Sequence, residues 1–218
     1  MIDRDDISES KLLSRLREED SGRHDRFAMV FSKMKERLRR IVKFRLDYRL
    51  AGRVSDSDVI QDCYLRAADR LDQYLNNPEF PLFVWLRLQV QQQVADVHRK
   101  HLMAEKRDAR KEITLNAVLN HGASGQTSMA LAAHLVGQLT SASRLIERGE
   151  EIAALETSLN EMNEIDREVI ALRHFEELSS SETADVLGIE PAAASKRYVR
   201  ALKRLKEIMA KHGFSRKH

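Results

Sequence analysis

"SSSETADVLGIEPAAASKRYVRALKRL", Ser179 to Leu205, decides how this chain is read. Ser180 or Ser181 caps a short helix, with Glu182 near its first turn. Ala184 is small where two helices would cross, and Gly188, four residues later, supplies a positive-φ corner. Ile189 plugs the core beneath that turn. Pro191 suits the first position of a second helix, where its missing N–H costs nothing. Along this helix Ala194, Tyr198, Ala201, Leu202 and Leu205 form an inward stripe. Lys196, Arg200 and Lys203 form an outward one, with Arg197 and Arg204 beside it. The pattern is that of a helix-turn-helix.

The second helix is slim at its tip and cationic along its flank. A DNA major groove about 12 Å wide admits a helix N-terminus closely only if that end is small. The basic flank then meets phosphates, and Lys196 or Arg197 reaches base edges. The DNA-facing set is therefore Glu190, Ala192, Ala193, Ser195, Lys196, Arg197 and Arg200. Glu190 departs from the ideal, since Ser or Thr would cap better; its carboxylate either repels phosphate or accepts from a cytosine amine. A solvated basic face on a structural hairpin is the plain alternative. The Ala-to-Gly spacing, the Pro start and the one-sided charge together favour DNA.

Composition agrees. The chain has 218 residues, enough for one large domain or two small ones. It is 42% hydrophobic and 33% charged, with 3 Pro and 8 Gly, and its 6% aromatic content argues against a large sheet. Net charge is only +3, so distribution matters more than total. From Lys196 to His218 there are nine Lys/Arg against one acid, Glu207, the footprint of a nucleic-acid surface. A single cysteine, Cys63, excludes an internal disulfide framework and a multi-cysteine zinc site. "MIDRDDISES" has no signal-like apolar core, and no apolar run approaches the ~20 residues that span a bilayer. The expected location is the cytoplasm.

Two all-α domains are expected. Apolar residues recur at helical spacing from Ser10 to about Leu50, with Gly22 separating two helices. "RVSDSDVIQDCYLRAADRL" opens on Ser and Asp caps and turns Val59, Ile60, Cys63, Tyr64, Ala67 and Leu71 inward. "NNPEFP", Asn76 to Pro81, breaks the pattern before a long helix from about Leu82 to Lys106. The first domain thus spans 8–106. Residues 107–142 read as a flexible linker carrying the Gly/Ser-rich "NHGASGQTS"; "MALAAHLVGQL" within it is left open as a short helix. The second domain spans 143–212.

The long helix of the first domain has two faces. Leu86, Val90, Val94 and Val97 keep an apolar stripe. Gln89, Gln92, Gln93, Asp96 and Arg99 line the other, with Lys100 following. Donors and acceptors with little net charge suit base edges more than phosphate, although glutamines are also ordinary exposed helix residues.

Taken together, "SDVIQDCYLRAADRL", "FVWLRLQVQQQVADVHRK" and "LNEMNEIDREVIALRHFEELSSSETADVLGIEPAAASKRYVRALKRLKEI" resemble the extracytoplasmic-function (ECF) type of bacterial sigma factor. The resemblance covers nearly the whole chain, and the order and spacing of its motifs are more specific than any one of them. It implies a region 2 domain and a region 4 domain. The helix matching Asp58–Leu71 would dock on the clamp coiled coil of the polymerase β′ subunit through Asp58, Gln61, Asp62, Leu65 and Arg66. Asp62 stands where the family usually has Glu. The family's Trp-Leu pair matches Trp85-Leu86, and its Asn-Asp-Arg series matches Gln92, Asp96 and Arg99. That helix and the loop before it would hold the melted non-template strand of the −10 element; Gln at 92 in place of Asn leaves the preferred base open. Region 4 would read the −35 element and meet the β flap. The implied activity is promoter specificity lent to core RNA polymerase, with no catalysis and no cofactor or metal of its own. An anti-sigma partner is a family possibility.

Other readings fare worse. A dimeric helix-turn-helix regulator would bind a palindromic site, yet there is no heptad seam or ligand pocket for it. His98 and His101 share a helix face without metalloprotease order and are expected solvated or phosphate-facing. Cys63 is expected as a buried small hydrophobe. Glu150, Glu151 and the acids at 161, 164, 166 and 168 are expected as a solvated helical face.

Overall fold

A computed structural model describes residues 6–18, 22–46, 50, 52–105, 128, 131–135 and 145–212. It is all-α, with no strand among the described residues. The chain divides into two compact units, Met1–Glu112 and Ile113–His218.

The first unit contains α1 (Asp6–Arg17), α2 (Arg23–Arg45), α3 (Asp56–Asp69), α4 (Leu71–Asn76) and α5 (Leu82–Glu105). Helices α2, α3 and α5 pack on one another, and α1 lies against α2. Their meeting faces follow the 3.6-residue apolar period: Phe27, Leu38 and Ile41 from α2, Ile60 and Cys63 from α3, Leu86 and Val90 from α5 are all buried. Each such side chain stabilises the fold by about 1.5–3 kcal/mol of transfer free energy. Tyr64 stacks on Phe27 at 5.7 Å and meets Phe31 edge-on at 5.1 Å, the offset and T-shaped geometries that ring quadrupoles favour. Ser55 caps α3 by accepting from the Ser57 amide. The helix expected over 58–71 is in fact two elements. The chain bends at Arg70, and α4 turns Leu71, Tyr74 and Leu75 into the core. Asn77–Pro81 is non-helical, as the breaker cluster requires.

The second unit contains α6 (Leu145–Glu161), α7 (Glu164–Ile170), a π-helical turn (Ala171–Phe175), α8 (Ser180–Leu187) and α9 (Pro191–Lys211). Helix α9 packs against α6, α7 and α8. Ala184, Ala194, Ala201 and Leu205 are buried between these helices, while Tyr198 and Leu202 of the expected inward stripe are only half-buried. Ile189, expected beneath the turn, is half-buried too. Gly188 takes the left-handed conformation at φ +63°, and Pro191 sits in the first turn of α9. The cap of α8 is Ser179, one residue earlier than expected. Its hydroxyl accepts from the Glu182 amide while the Glu182 carboxylate accepts from the Ser179 amide, a closed capping box. The helix that begins at Glu164 widens after Ile170, where the Glu176 amide reaches the Ala171 carbonyl five residues back.

Of the expected linker 107–142, only Ser128 and 131–135 lie within the described residues. Residues 131–135 are helical, with Leu131 and Ala132 buried.

Candidate nucleic-acid interface

Helix α9 presents the predicted set. Glu190, Ala192, Ala193, Ser195, Lys196 and Arg200 are exposed, and Arg197 is half-buried. Glu190 stands at the N-cap with extended backbone and makes no side-chain cap bond. The exposed apolar Val199 lies on the same helix and was missed by charge-based reading; exposed valine on a basic face is its signal. A groove of about 610 Å³ runs between the start of α7 and α9, lined by Asn163, Ile165 and Asp166 on one side and Ala193, Lys196, Arg197, Arg200 and Arg204 on the other.

Asp166 corrects an expectation. Read as part of a solvated acidic face, it is buried, with its side chain only 7% exposed, and it accepts from Arg204 and from Asn163 Nδ2 at 2.7 Å. Asn163 also caps α7, its Oδ1 accepting from the Asp166 amide. Arg204, although its side chain is 56% exposed and lines the groove with Lys196 and Arg200, is therefore tied to the fold through its guanidinium. Glu150, Glu151, Glu161 and Glu164 are exposed as expected, and Glu168 is half-buried.

Behind α9 the half-buried Tyr198 hydroxyl lies 2.7 Å from His174 Nε2. Burial, then the charges of His134 and Arg173, hold the His174 imidazole below its ordinary range. Burial likewise raises the Tyr198 hydroxyl.

The first unit places its candidates differently. Gln92, Arg99 and Lys100 are exposed and Asp96 is half-buried, but Gln89 and Gln93, read as outward, are buried at 5% and 4%. The reason is that α5 is covered on more than one side by α2 and α3. Gln93 Nε2 donates to Asp62 at 2.8 Å, and Arg70 donates to both Gln89 and Gln92. Asp96 pairs with Arg66 at 2.7 Å and with Arg99 at 2.9 Å. Thus Asp62 and Arg66 of α3 are stitched to α5; Asp58, Gln61, Asp62 and Leu65 of this helix are exposed and Arg66 is half-buried. His98, expected solvated or phosphate-facing, is buried; His101 is half-buried. Cys63 is fully buried, and desolvation pushes its thiol up to about 12.

A smaller recess of about 310 Å³ opens where α4, the 77–81 loop and α5 meet, lined by Arg70, Tyr74, Asn77, Phe80, Trp85 and Gln89. Tyr74 and Trp85 stack at 4.4 Å and 19°, and the Tyr74 hydroxyl donates to the Phe80 carbonyl. Among the described residues no cluster of His, Cys, Asp or Glu could hold a metal ion, and no helix is long and apolar enough to cross a membrane.

A tight glycine corner, a capped first helix and a one-sided basic second helix define a helix-turn-helix DNA-binding domain. Residues 152–205 match the family model described as Sigma-70, region 4, of the kind typical of ECF sigma factors, and this part of the chain is such a domain. None of the curated proteins matches the chain. A sigma-70 region 4 supports a DNA-binding role in transcription and implies interaction with core RNA polymerase and promoter DNA. The family consists of non-enzymatic transcription factors.

Proposed function

We propose that the chain is an ECF-type sigma factor that binds core RNA polymerase and directs promoter-specific initiation. The observation that carries this is α9, slim at Ala192 and Ala193 and exposed at Lys196 and Arg200, inside the segment that matches region 4. On this reading α9 enters the major groove of the −35 element. Ala192, Ala193 and Ser195 let the backbone approach, and Lys196, Arg197 and Arg200 meet phosphates and base edges.

The first unit, on the same reading, holds the melted −10 strand. Extruding a base costs a few kcal/mol, offset by a recess with an aromatic platform. The recess beside Tyr74 and Trp85 has that composition, Arg70 and Gln89 supply polar edges to it, and Gln92 is joined to it through Arg70. With Gln89 and Gln93 buried, Gln92, Arg99 and Lys100 are the α5 side chains most open to a strand, with Asp96 between them. The exposed Asp58, Gln61, Asp62 and Leu65 of α3, with the half-buried Arg66 beside them, form the face for the β′ clamp coiled coil, and region 4 is the element for the β flap. Joining two modest DNA readers in one polypeptide gains from effective concentration once polymerase fixes their spacing.

Run-off transcription with core polymerase on genomic fragments tests this. Discrete start sites that require the added chain are expected. Failure of the purified chain to associate with bacterial core polymerase would overturn the assignment.

A further inference from the structure

Residues 131–135 precede the region 4 match, yet they meet the segment on which the recognition helix rests. His134 Nε2 lies 3.0 Å from the His174 carbonyl oxygen, and its ring packs on Phe175 at 4.7 Å. Leu131 and Ala132 are buried, so this short helix is seated rather than passing over the surface. The last carbonyls of any helix lack helical partners, and the His174 carbonyl at the end of the π-helical turn is one of them. A carbonyl only accepts, so His134 must carry its hydrogen on Nε2.

The same residue faces α9 with its ring. Tyr198 Oη is 2.7 Å from His174 Nε2, the two rings are 5.6 Å apart, and the Arg173 guanidinium lies 5.5 Å from the centre of the Tyr198 ring. Tyr198 sits between Arg197 and Val199, two residues from both Lys196 and Arg200. On either side of it the inward stripe is alanine, at 194 and 201. Apolar packing of that kind is non-directional, so it leaves the rotation of α9 about its own axis loosely specified. A directed hydrogen bond at Tyr198 specifies it at the DNA-facing turns, as the Arg204–Asp166 pair does further along the helix.

We propose that His134, acting through His174, is a positioning residue for the recognition helix: the chain His134–His174–Tyr198 sets the phase in which Lys196, Arg197 and Arg200 meet DNA. This rests on the reading of α9 as the DNA-reading helix. It extends the functional module upstream of residue 152 to include 131–135.

The test uses the full chain with core polymerase and two DNA fragments. One is a genomic fragment on which the pair initiates; the other is the same fragment with its −35 element scrambled. The ratio of the two affinities measures discrimination. Tyr198→Phe, His174→Ala and His134→Ala should each lower that ratio about five-fold, the factor that one neutral hydrogen bond is worth. His174→Gln, which places an amide oxygen near Nε2, should recover most of the loss, a rescue that a merely space-filling role would not show. Nitrogen-15 spectra of the wild-type chain should show His134 protonated at Nε2 and His174 unprotonated there. If His134→Ala fails to fold, Tyr198→Phe decides, because it removes one oxygen and keeps the ring. Unchanged discrimination in folded Tyr198→Phe, or a His134 hydrogen on Nδ1, overturns the inference. A wild-type ratio near one sinks the −35 reading with it; a wild-type preference that survives all three variants sinks the positioning role alone.

Discussion

Arg204 reaches from the flank of α9 to the carboxylate of Asp166, which is buried at the start of α7 and held in turn by Asn163. A cation that looks, in sequence, like one more phosphate ligand is thereby committed to the fold. Arg204→Ala should destabilise the second unit by about 1.5–3 kcal/mol, the range for a hydrogen bond to a charged group whose loss strands its partner. Thermal melting measures this. The salt dependence of DNA binding should be unaltered in the same variant.

Lys196→Ala and Arg197→Ala should behave in the opposite way. Each should weaken use of the upstream element and reduce the slope of log affinity against log salt by about 0.9 for each phosphate it no longer neutralises. Gln92→Ala and Asp96→Ala should instead impair opening at the downstream element, read by permanganate footprinting. If the two pairs gave the same phenotype, the assignment of regions would be wrong.

Gly188→Ala isolates a backbone effect. Its φ is +63° and an added Cβ would meet nothing within 4 Å. The cost is therefore conformational, about 1–2 kcal/mol for a left-handed L-residue. Urea denaturation should show this loss for alanine and a smaller one for asparagine, which tolerates that region better.

Acid should loosen the second unit through His174. In the unfolded chain its imidazole titrates near 6.5, and burial with the neighbouring His134 and Arg173 charges lowers it in the fold. Protonation thus favours the unfolded chain. The contribution is complete above pH 6.5 and is lost as pH falls through the lower folded value. Tyr198, the facing group on α9, is shifted upward and stays neutral throughout. Stability measured across the mildly acidic range should fall less steeply in His174→Gln.

Cys63 should be inert in the native state. With its thiol buried and pushed up to about 12, almost no thiolate exists near pH 8. Alkylation at that pH should track unfolding, and a fast native reaction would contradict the packing of α3.

The helix-turn-helix was legible because its signals are local. Gly188, Pro191 and the Ala184 crossing each specify one backbone feature within a few residues, and all three stand where expected. The first unit was legible in its apolar stripes but not in its polar ones. Gln89 and Gln93 read as outward because amides are usually solvated, and nothing in the surrounding residues shows that Arg70 and Asp62 come to meet them. The same holds for Asp166, whose partner lies 38 positions away. Long-range polar pairing leaves no periodic trace. The cap shifted from Ser180 or Ser181 to Ser179 because three adjacent serines all qualify, and only the register with Glu182 closes the reciprocal box.

Asp62 already accepts from Gln93, and Arg66 already donates to Asp96. A protein that recruits those two α3 side chains either uses the lone pairs and N–H groups they have left or displaces an internal partner, and in the second case the attraction it gains is the difference between two similar bonds. Such an exchange is nearly silent in affinity yet releases the Gln93 amide on α5 and leaves the Asp96 carboxylate to Arg99 alone. Occupancy of one helix face then alters the hydrogen-bonding vocabulary of the next, without any backbone needing to move.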